Sequence, residues 1–274
     1  MSGQTQDTGT QQPGGRGATA VAEPPPLDRL APLAPNAWLR FDLVSRMIPD
    51  GTAEILEVGC GQGAFGARLA ARYRYVGLEP DATSFAAASQ RIALGGRGEV
   101  RNARVESLDP EERFDLVCAF EVLEHIEDDA AALESWSQRL RPGGWLLLSV
   151  PAHQSRYSAH DELAGHYRRY DRAQMTALLE RTGFTDVDVR EYGMPLGYLL
   201  EAGRNVIGRR QLTSVSDASM EQRTSASGRL IQPRSALQGA LTRWGTAPFR
   251  YVQRGFPRTG TGLVVRAKLA AAEG

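Results

Sequence analysis

The chain has 274 residues with 42% hydrophobic and 23% charged side chains, enough for one domain with a sizeable core and a tail. Lys plus Arg and Asp plus Glu both number 32, so no overall charge draws the molecule to nucleic acid or to an anionic membrane, and any such bias is local. Only two cysteines occur, Cys60 and Cys118, which excludes a disulfide-stapled scaffold. With no basic-then-apolar leader pattern, and no apolar run near the roughly 18 to 20 residues of a spanning helix, the expected setting is cytoplasmic.

Residues 1–35 are rich in Gln, Thr, Gly, Pro and Ala with almost no large side chains, a composition that predicts a disordered tail. Residues 36–48 carry Trp38, Leu39, Phe41, Leu43, Val44 and Ile48 at three- and four-residue spacing, an amphipathic helix ended by Asp50-Gly51. Short β-like runs then alternate with helical patterns. The runs are EILEVG (54–59), YVGLE (75–79), EVRNARV (99–105), FDLVCAF (114–120) and WLLLSV (145–150). The helical patterns cover 64–72, 82–94 and 128–140, the last stopped by Arg141-Pro142-Gly143-Gly144. This alternation is the signature of an α/β fold with a doubly wound parallel sheet. A further helix over 172–181 opens after Asp171 and closes at Gly183, followed by the strand-like TDVDVREY.

The last quarter changes character. Residues 193–258 hold ten Arg against three acidic residues, whereas 36–192 hold eighteen basic against twenty-five acidic, so the neutral total hides a dipole of plus seven against minus seven. Leu196, Leu199, Leu200, Val206 and Ile207, and later Leu237, Leu241, Trp244 and Val252, recur at helical spacing on either side of a Ser-, Thr- and Gln-rich stretch, 211–227, expected to be a mobile loop. TGLVVRAKLA (261–270) reads as a last strand returning to the sheet. The expected organisation is a tail (1–35), a core (36–192), a basic helical lid or insertion (193–258), and a final core strand with its tail (259–274).

The segment ILEVGCGQGAFG sets Gly59, Gly61, Gly63 and Gly66 directly after a strand and at the mouth of a helix, where a ligand approaches backbone closely and the turn demands φ values that other residues resist. From Gly61 the string is G-x-G-x-x-G with Glu79 eighteen residues on, which satisfies the dinucleotide fingerprint. From Glu57 it is E-x-G-x-G-x-G, and an acid placed there suits a cationic ligand and repels a pyrophosphate. This second string resembles the first motif of the class I methyltransferases that use S-adenosylmethionine. FDLVCAFEVLEHIEDD (114–129), LRPGGWLLLSVP (140–151) and TGLVVRAKLA are similar to the fourth strand, the turn into the fifth strand and the final antiparallel strand of that family. The resemblance implies a Rossmann-like seven-stranded sheet, mostly parallel with the last strand antiparallel and helices on both faces. It implies S-adenosylmethionine as cofactor and methyl transfer to an oxygen, or a nitrogen, of a small-molecule or of a glycosylated or lipid-linked metabolite.

Carried over position by position, Glu57 would meet the methionine amino group, and Gly59, Cys60, Gly61 and Gly63 would line the methionine and ribose. Glu79, followed by Pro80, would accept from both ribose hydroxyls. Phe120 and Glu121 would lie beside the cofactor. Many relatives place an acid that takes the adenine amino group where this chain has Arg104, so either Glu106 or a main-chain carbonyl takes that part.

All four histidines, His125, His153, His160 and His166, fall after the fourth and fifth strands, on the side where an open α/β sheet binds its ligands. Methyl transfer to a hydroxyl needs the acceptor held in line and its proton removed, and His125, His160 and His166 are the candidate bases. The string HDELAGHYRRYD, which is similar to a segment in a subgroup of these methyltransferases, adds Asp161, Arg168, Arg169 and Tyr170, with Tyr157 just before it, as candidate acceptor contacts. The arginines either clamp an anion bidentately or pair with Asp161, Glu162 or Asp171. No metal is expected, because His153, His160, Asp161 and His166 match no zinc spacing. The expected partner is a small-molecule acceptor and not nucleic acid, since the basic residues are not interleaved with stacking aromatics; peripheral contact of the basic helices with an anionic membrane is the alternative. Two rival functions remain at this level: a silent binding protein that keeps the cofactor fold, and an NAD-dependent oxidoreductase.

Overall fold

The computed structural model describes residues 30–94, 98–212 and 236–271, without the side chains of 211, 212 and 236. Helix α1 (Pro35–Met47) leads into β1 (Glu54–Val58), α2 (Gly66–Ala70), β2 (Arg74–Leu78), α3 (Ala82–Ala93), β3 (Gly98–Arg101) and β4 (Phe114–Phe120). Then come α4 (Asp129–Ser137), β5 (Leu140–Pro151), α5 (Ala159–Ala164), α6 (Arg172–Arg181), β6 (Phe184–Gly193), α7 (Leu196–Leu212), α8 (Ala236–Gly245), α9 (Ala247–Arg254) and β7 (Gly260–Leu269). The strands form one seven-stranded sheet in the order β3-β2-β1-β4-β5-β7-β6. All pairings are parallel except those of β7, which runs antiparallel to both β5 and β6.

The apolar runs are buried on both faces, because successive side chains of a strand point to opposite sides of the sheet. Ile55, Leu116, Cys118 and Leu147 face one cluster with Trp38, Leu39 and Val44 of α1 and Ile92 of α3. Leu56, Val117, Ala119, Leu146 and Leu148 face the other, with Leu133 and Trp136 of α4 and Met175, Leu178 and Leu179 of α6.

Several sequence expectations shift at element ends. Of the expected tail, residues 1–29 lie outside the described residues, but Leu30 and Leu33 are buried in the α1 cluster and Arg68 Nη1 donates to the Ala31 carbonyl at 2.8 Å, so the ordered core begins before residue 36. The strand expected over 99–105 ends at Arg101: Asn102 Nδ2 donates to the carbonyls of Glu79 and Pro80 at 2.8 and 3.0 Å, pulling the chain back toward the end of β2, and a short 3-10 turn follows at Val105–Ser107. The helix expected over 128–140 closes at Ser137, and Arg141-Pro142-Gly143-Gly144 lies within β5 as an irregularity, with Leu140 opposite Phe114 and Trp145 opposite Leu116. Gly143 takes φ +71° there, which its missing Cβ permits.

Of the loop expected over 211–227, residues 211 and 212 belong to α7 and the rest lies outside the described residues. The basic helices dock through Leu196 of α7 and Phe249 of α9, which pack on the α1 cluster, and through polar contacts. Gln253 Nε2 of α9 donates to the Leu39 carbonyl at 2.9 Å, and Arg254 pairs with buried Asp42 of α1 at 2.5 Å. Gly208 of α7 lies over His160 of α5, where a Cβ would come within 3.1 Å of the His160 backbone.

Candidate active site

The turn after β1 takes its shape from three glycines in the left-handed region: Gly59, Gly61 and Gly63 have φ of +68°, +55° and +73°. Their surroundings differ. A Cβ on Gly59 would meet Val122 Cγ2 at 2.8 Å and one on Gly63 would meet Ala88 Cα at 2.8 Å, so these two let the segment after β4 and helix α3 close on the loop. A Cβ on Gly61 would have nothing within 4 Å, which leaves its backbone open to a ligand. Glu79, at the end of β2, accepts from the Gly61 N–H at 2.8 Å through Oε2 and from the Asp81 N–H at 2.9 Å through Oε1. Each oxygen retains a lone pair for a hydroxyl, and burial raises this carboxyl above its ordinary range.

Glu57 lies beneath the loop, 2% exposed, with its Oε2 accepting from the Tyr75 hydroxyl at 2.6 Å. Burial pushes its pKa up to about 7 against the opposing pull of that bond and of Arg40. Cys60 is buried, and its thiol is pushed well up by burial and by Glu57 and Glu79. Pro80 is exposed beside Glu79, and Glu106 is exposed in the 3-10 turn Val105–Ser107. Phe120 is buried against Phe65, ring centroids 4.6 Å apart.

At the end of β4, Glu121 adopts φ +58°, a conformation costly for a side chain with a Cβ. Its Oε1 is held by Arg40 Nη1 at 3.0 Å, the Ser149 hydroxyl at 3.0 Å and the Tyr192 hydroxyl at 3.3 Å. Burial alone would raise this carboxyl, but Arg40 and Ser149 hold it below its ordinary value. Glu124, three residues on, is 0% exposed and is pushed well up by burial and by Glu121.

The HDELAGHYRRYD segment folds into a buried polar network. Asp161 accepts from His166 Nδ1 at 2.9 Å and bidentately from Arg169 at 2.8 and 2.7 Å. Arg169 also pairs with Glu201 of α7, which takes Arg156 as well. Burial would raise Asp161, but His166 and Arg169 hold it far below its ordinary value. The Tyr157 hydroxyl donates to the His166 carbonyl at 2.7 Å.

A small, partly open cleft lies at the carboxyl ends of β4, β5 and β6, and Glu121, His160, Asp161, His166, Tyr192 and Arg204 are among its lining residues. Val122, which touches Gly59, follows Glu121 directly, so the cleft adjoins the glycine turn. Of the three candidate bases, His160 and His166 line this cleft, whereas His125 packs edge-on against His166 with centroids 4.7 Å apart. Burial lowers both His125 and His160 to about 4, the first with help from His166 and the second from Arg204. Of the candidate acceptor contacts, Asp161 and Arg169 reach the cleft, and Arg169 does so already committed to two carboxylates. Arg168 is paired with Asp129 at 2.8 Å, and buried Tyr170 donates to the same carboxylate at 3.0 Å, so both are bound on the α4 side. Arg40, Glu124, Tyr192, Glu201 and Arg204 were not legible as site residues; the sequence carries no signal for the first and last beyond their places on amphipathic helices.

A parallel sheet with one antiparallel strand inserted beside its edge, and a glycine turn whose open member is bonded to a carboxylate at the end of the second strand, define a nucleoside-binding enzyme of the Rossmann-like methyltransferase class. The family model described as "Methyltransferase domain" matches residues 32–189, and the chain belongs to that family. It is 31% identical over 195 residues to a Mycolicibacterium smegmatis protein named "Probable S-adenosylmethionine-dependent methyltransferase", covering 68% of this chain and 72% of that one. It is 38% identical over 100 residues to a ubiquinone biosynthesis O-methyltransferase of a Bradyrhizobium species, where the match covers 35% of this chain and 39% of the relative. Solved structures with the same fold include the [4+2]-cyclase SpnF (TM-score 0.56, 20% identity, 86% and 82% of the two chains) and YcgJ of Bacillus subtilis (0.57, 14%, 86% and 99%). The protein is an S-adenosylmethionine-dependent methyltransferase, and the open backbone at Gly61 beside the Glu79 carboxylate fits a ribose-bearing cofactor. No helix among the described residues is long and apolar enough to cross a membrane.

Proposed function

We propose that the chain methylates a hydroxyl oxygen of a small-molecule acceptor held in the cleft between Glu121, His160 and Arg204. The observation that carries this reading is His160, an imidazole lining the cleft next to the glycine turn and kept neutral at pH 7 by burial and by Arg204. When bound, S-adenosylmethionine supplies an electrophilic methyl carbon. Glu79 and the Gly61 backbone hold the ribose end, and Glu57 fixes the floor of the turn through Tyr75. His160 takes the acceptor's hydroxyl proton as the oxygen attacks, and Arg204 offers a cation for an anionic group elsewhere on the acceptor. The basic helices α7, α8 and α9 act as a lid through α7, which brings Glu201 and Arg204 to the cleft. Acceptors presented as matched alcohol and amine pairs test the reading: the O-methyl product with S-adenosylhomocysteine is expected, and methylation of the amines alone overturns it.

A second reading concerns where the acceptor resides. Leu199, Leu241, Trp244 and Tyr251 are exposed, by 65% or more each, on helices that also carry Arg209, Arg210, Arg243 and Arg254. Apolar side chains flanked by cations suit a lipid-linked acceptor at an anionic membrane surface. Co-sedimentation with anionic vesicles, and none with neutral ones, supports this; equal behaviour with both refutes it.

A further inference from the structure

Behind the cleft, Glu124, His125 and His166 converge with one potential ligand atom each, all within 4.8 Å of one another. Glu124 has no exposed surface, and among the described residues neither of its carboxyl oxygens has a hydrogen-bond partner. A carboxyl group taken fully out of water without a partner is among the costliest things a fold can bury.

The tautomers of both histidines follow from their partners. His125 Nδ1 lies 3.1 Å from the Gly165 carbonyl oxygen, and His166 Nδ1 lies 2.9 Å from Asp161 Oδ1. Carbonyl and carboxylate oxygens only accept, so Nδ1 carries a proton in each ring, and in the neutral form of each ring Nε2 bears the lone pair. His166 Nε2 then faces Glu124 Oε1 at 4.0 Å, too far for a shared proton. With both imidazoles neutral and Glu124 ionised, three acceptors converge, an arrangement that a Lewis acid between them satisfies. The oxygen acceptors on Nδ1 are the arrangement that orients metal-binding imidazoles and raises their basicity. Asp161 is itself fixed by Arg169, and Arg169 by Glu201, so the orientation is anchored in the fold.

We propose that Glu124, His125 and His166 bind one divalent first-row transition cation at the back of the acceptor cleft. Two imidazole nitrogens and one carboxylate oxygen favour zinc, manganese, iron(II) or cobalt over magnesium and calcium. Ligand atoms on a tetrahedral ion with bonds of about 2.1 Å sit roughly 3.4 Å apart, so side-chain rotation closes the trio on the ion. Three protein ligands leave an open position, and His166 places it at the cleft wall. If the hydroxyl-acceptor reading above holds, the open position takes the acceptor oxygen and eases loss of its proton to His160. The O–CH3 bond then forms as the S–CH3 bond breaks and the sulfonium becomes a neutral thioether.

The test uses the full chain stripped with EDTA and titrated with Zn2+ by calorimetry and with Co2+ by visible absorption. One equivalent per chain is expected, with cobalt ligand-field bands and a rise in Tm on zinc addition. Glu124→Gln keeps the side-chain shape and should weaken binding at least 100-fold; Asp161→Asn, acting through His166, should weaken it 10- to 100-fold. His153→Ala, outside the trio, should retain the full equivalent. Failure of the wild-type chain to bind either ion more tightly than millimolar, or unchanged binding by a folded Glu124→Gln or His166→Gln variant, overturns the site. Stoichiometric binding together with undiminished O-methylation by the metal-free protein overturns only the acceptor's contact with the cation. Metal binding with amine-only methylation overturns the hydroxyl reading and leaves the site standing.

Discussion

Glu57 allows a stringent check on how the glycine turn is supported. Its carboxyl is 2% exposed and its pKa lies at about 7, against an ordinary 4.5, chiefly through burial. Between those two values the folded chain binds a proton that the unfolded chain releases. The stabilisation from protonated Glu57 is therefore complete below pH 4.5, is lost as pH rises through 7, and does not change above that. At about 1.4 kcal/mol per pKa unit, the rise from 4.5 to about 7 is worth about 3 kcal/mol. For a chain of this size that is on the order of 6 to 12 °C in Tm. Glu57→Gln keeps an amide oxygen to accept from Tyr75 and removes the titration. Urea unfolding of both proteins without cofactor, from pH 4.5 to 8, should show wild type losing about 3 kcal/mol relative to the variant, with the background of other carboxylates cancelling. A difference constant to within about 0.5 kcal/mol across that range refutes the burial argument.

Four other outcomes follow from the site. Gly66→Ala would drive a Cβ into the Tyr75 hydroxyl and to 3.0 Å from Glu57 Oε2, so it should destabilise the chain by about 1–3 kcal/mol in urea melts. Glu79→Ala removes the acceptor of the Gly61 and Asp81 N–H groups, and calorimetry should show S-adenosylmethionine binding at least about tenfold more weakly, the loss of one hydrogen bond to a charged group. His160→Gln should lower kcat by about 10²- to 10⁴-fold with cofactor affinity within about twofold, and an unchanged kcat removes His160 as the base. Cys60 and Cys118 are both buried with raised thiol pKa values, so neither should react with a disulfide reagent at pH 8 until the chain unfolds.

What was legible in the sequence is what local physics dictates. The runs at 54–59, 114–120 and 145–150 are apolar because those strands are buried on both faces, and the four glycines of the turn stand out because few other residues accept their positions. The end of β3 was overrun because Asn102, which terminates it, acts through carbonyls more than twenty residues away. Leu30 and Leu33 were lost in a tail whose average composition is polar, although two leucines suffice to seat it on α1. The candidate site divides in the same way. His160, Asp161, His166 and Arg169 cluster in sequence and were found together, but the sequence could not say that Arg169 is bound by Asp161 and Glu201 rather than left to clamp a ligand. Arg40 on Glu121 and Glu201 on Arg156 join elements distant along the chain, and such pairings exist only once the sheet has assembled.

The position of β7 carries a consequence for the order of assembly. It follows every other strand along the chain, yet lies inside the sheet, with Leu148 on one side and Val189 on the other paired to the same Val265. Until residues 260–269 arrive, β5 and β6 have open edges facing each other across a strand-wide gap, and closing it brings together segments far apart along the chain, the slow kind of contact. A nascent or truncated chain lacking this segment would present two unpaired strand edges, the template on which β-proteins aggregate. Fusions, truncations and refolding conditions for this enzyme are therefore governed by how soon its last strand reaches the slot left for it.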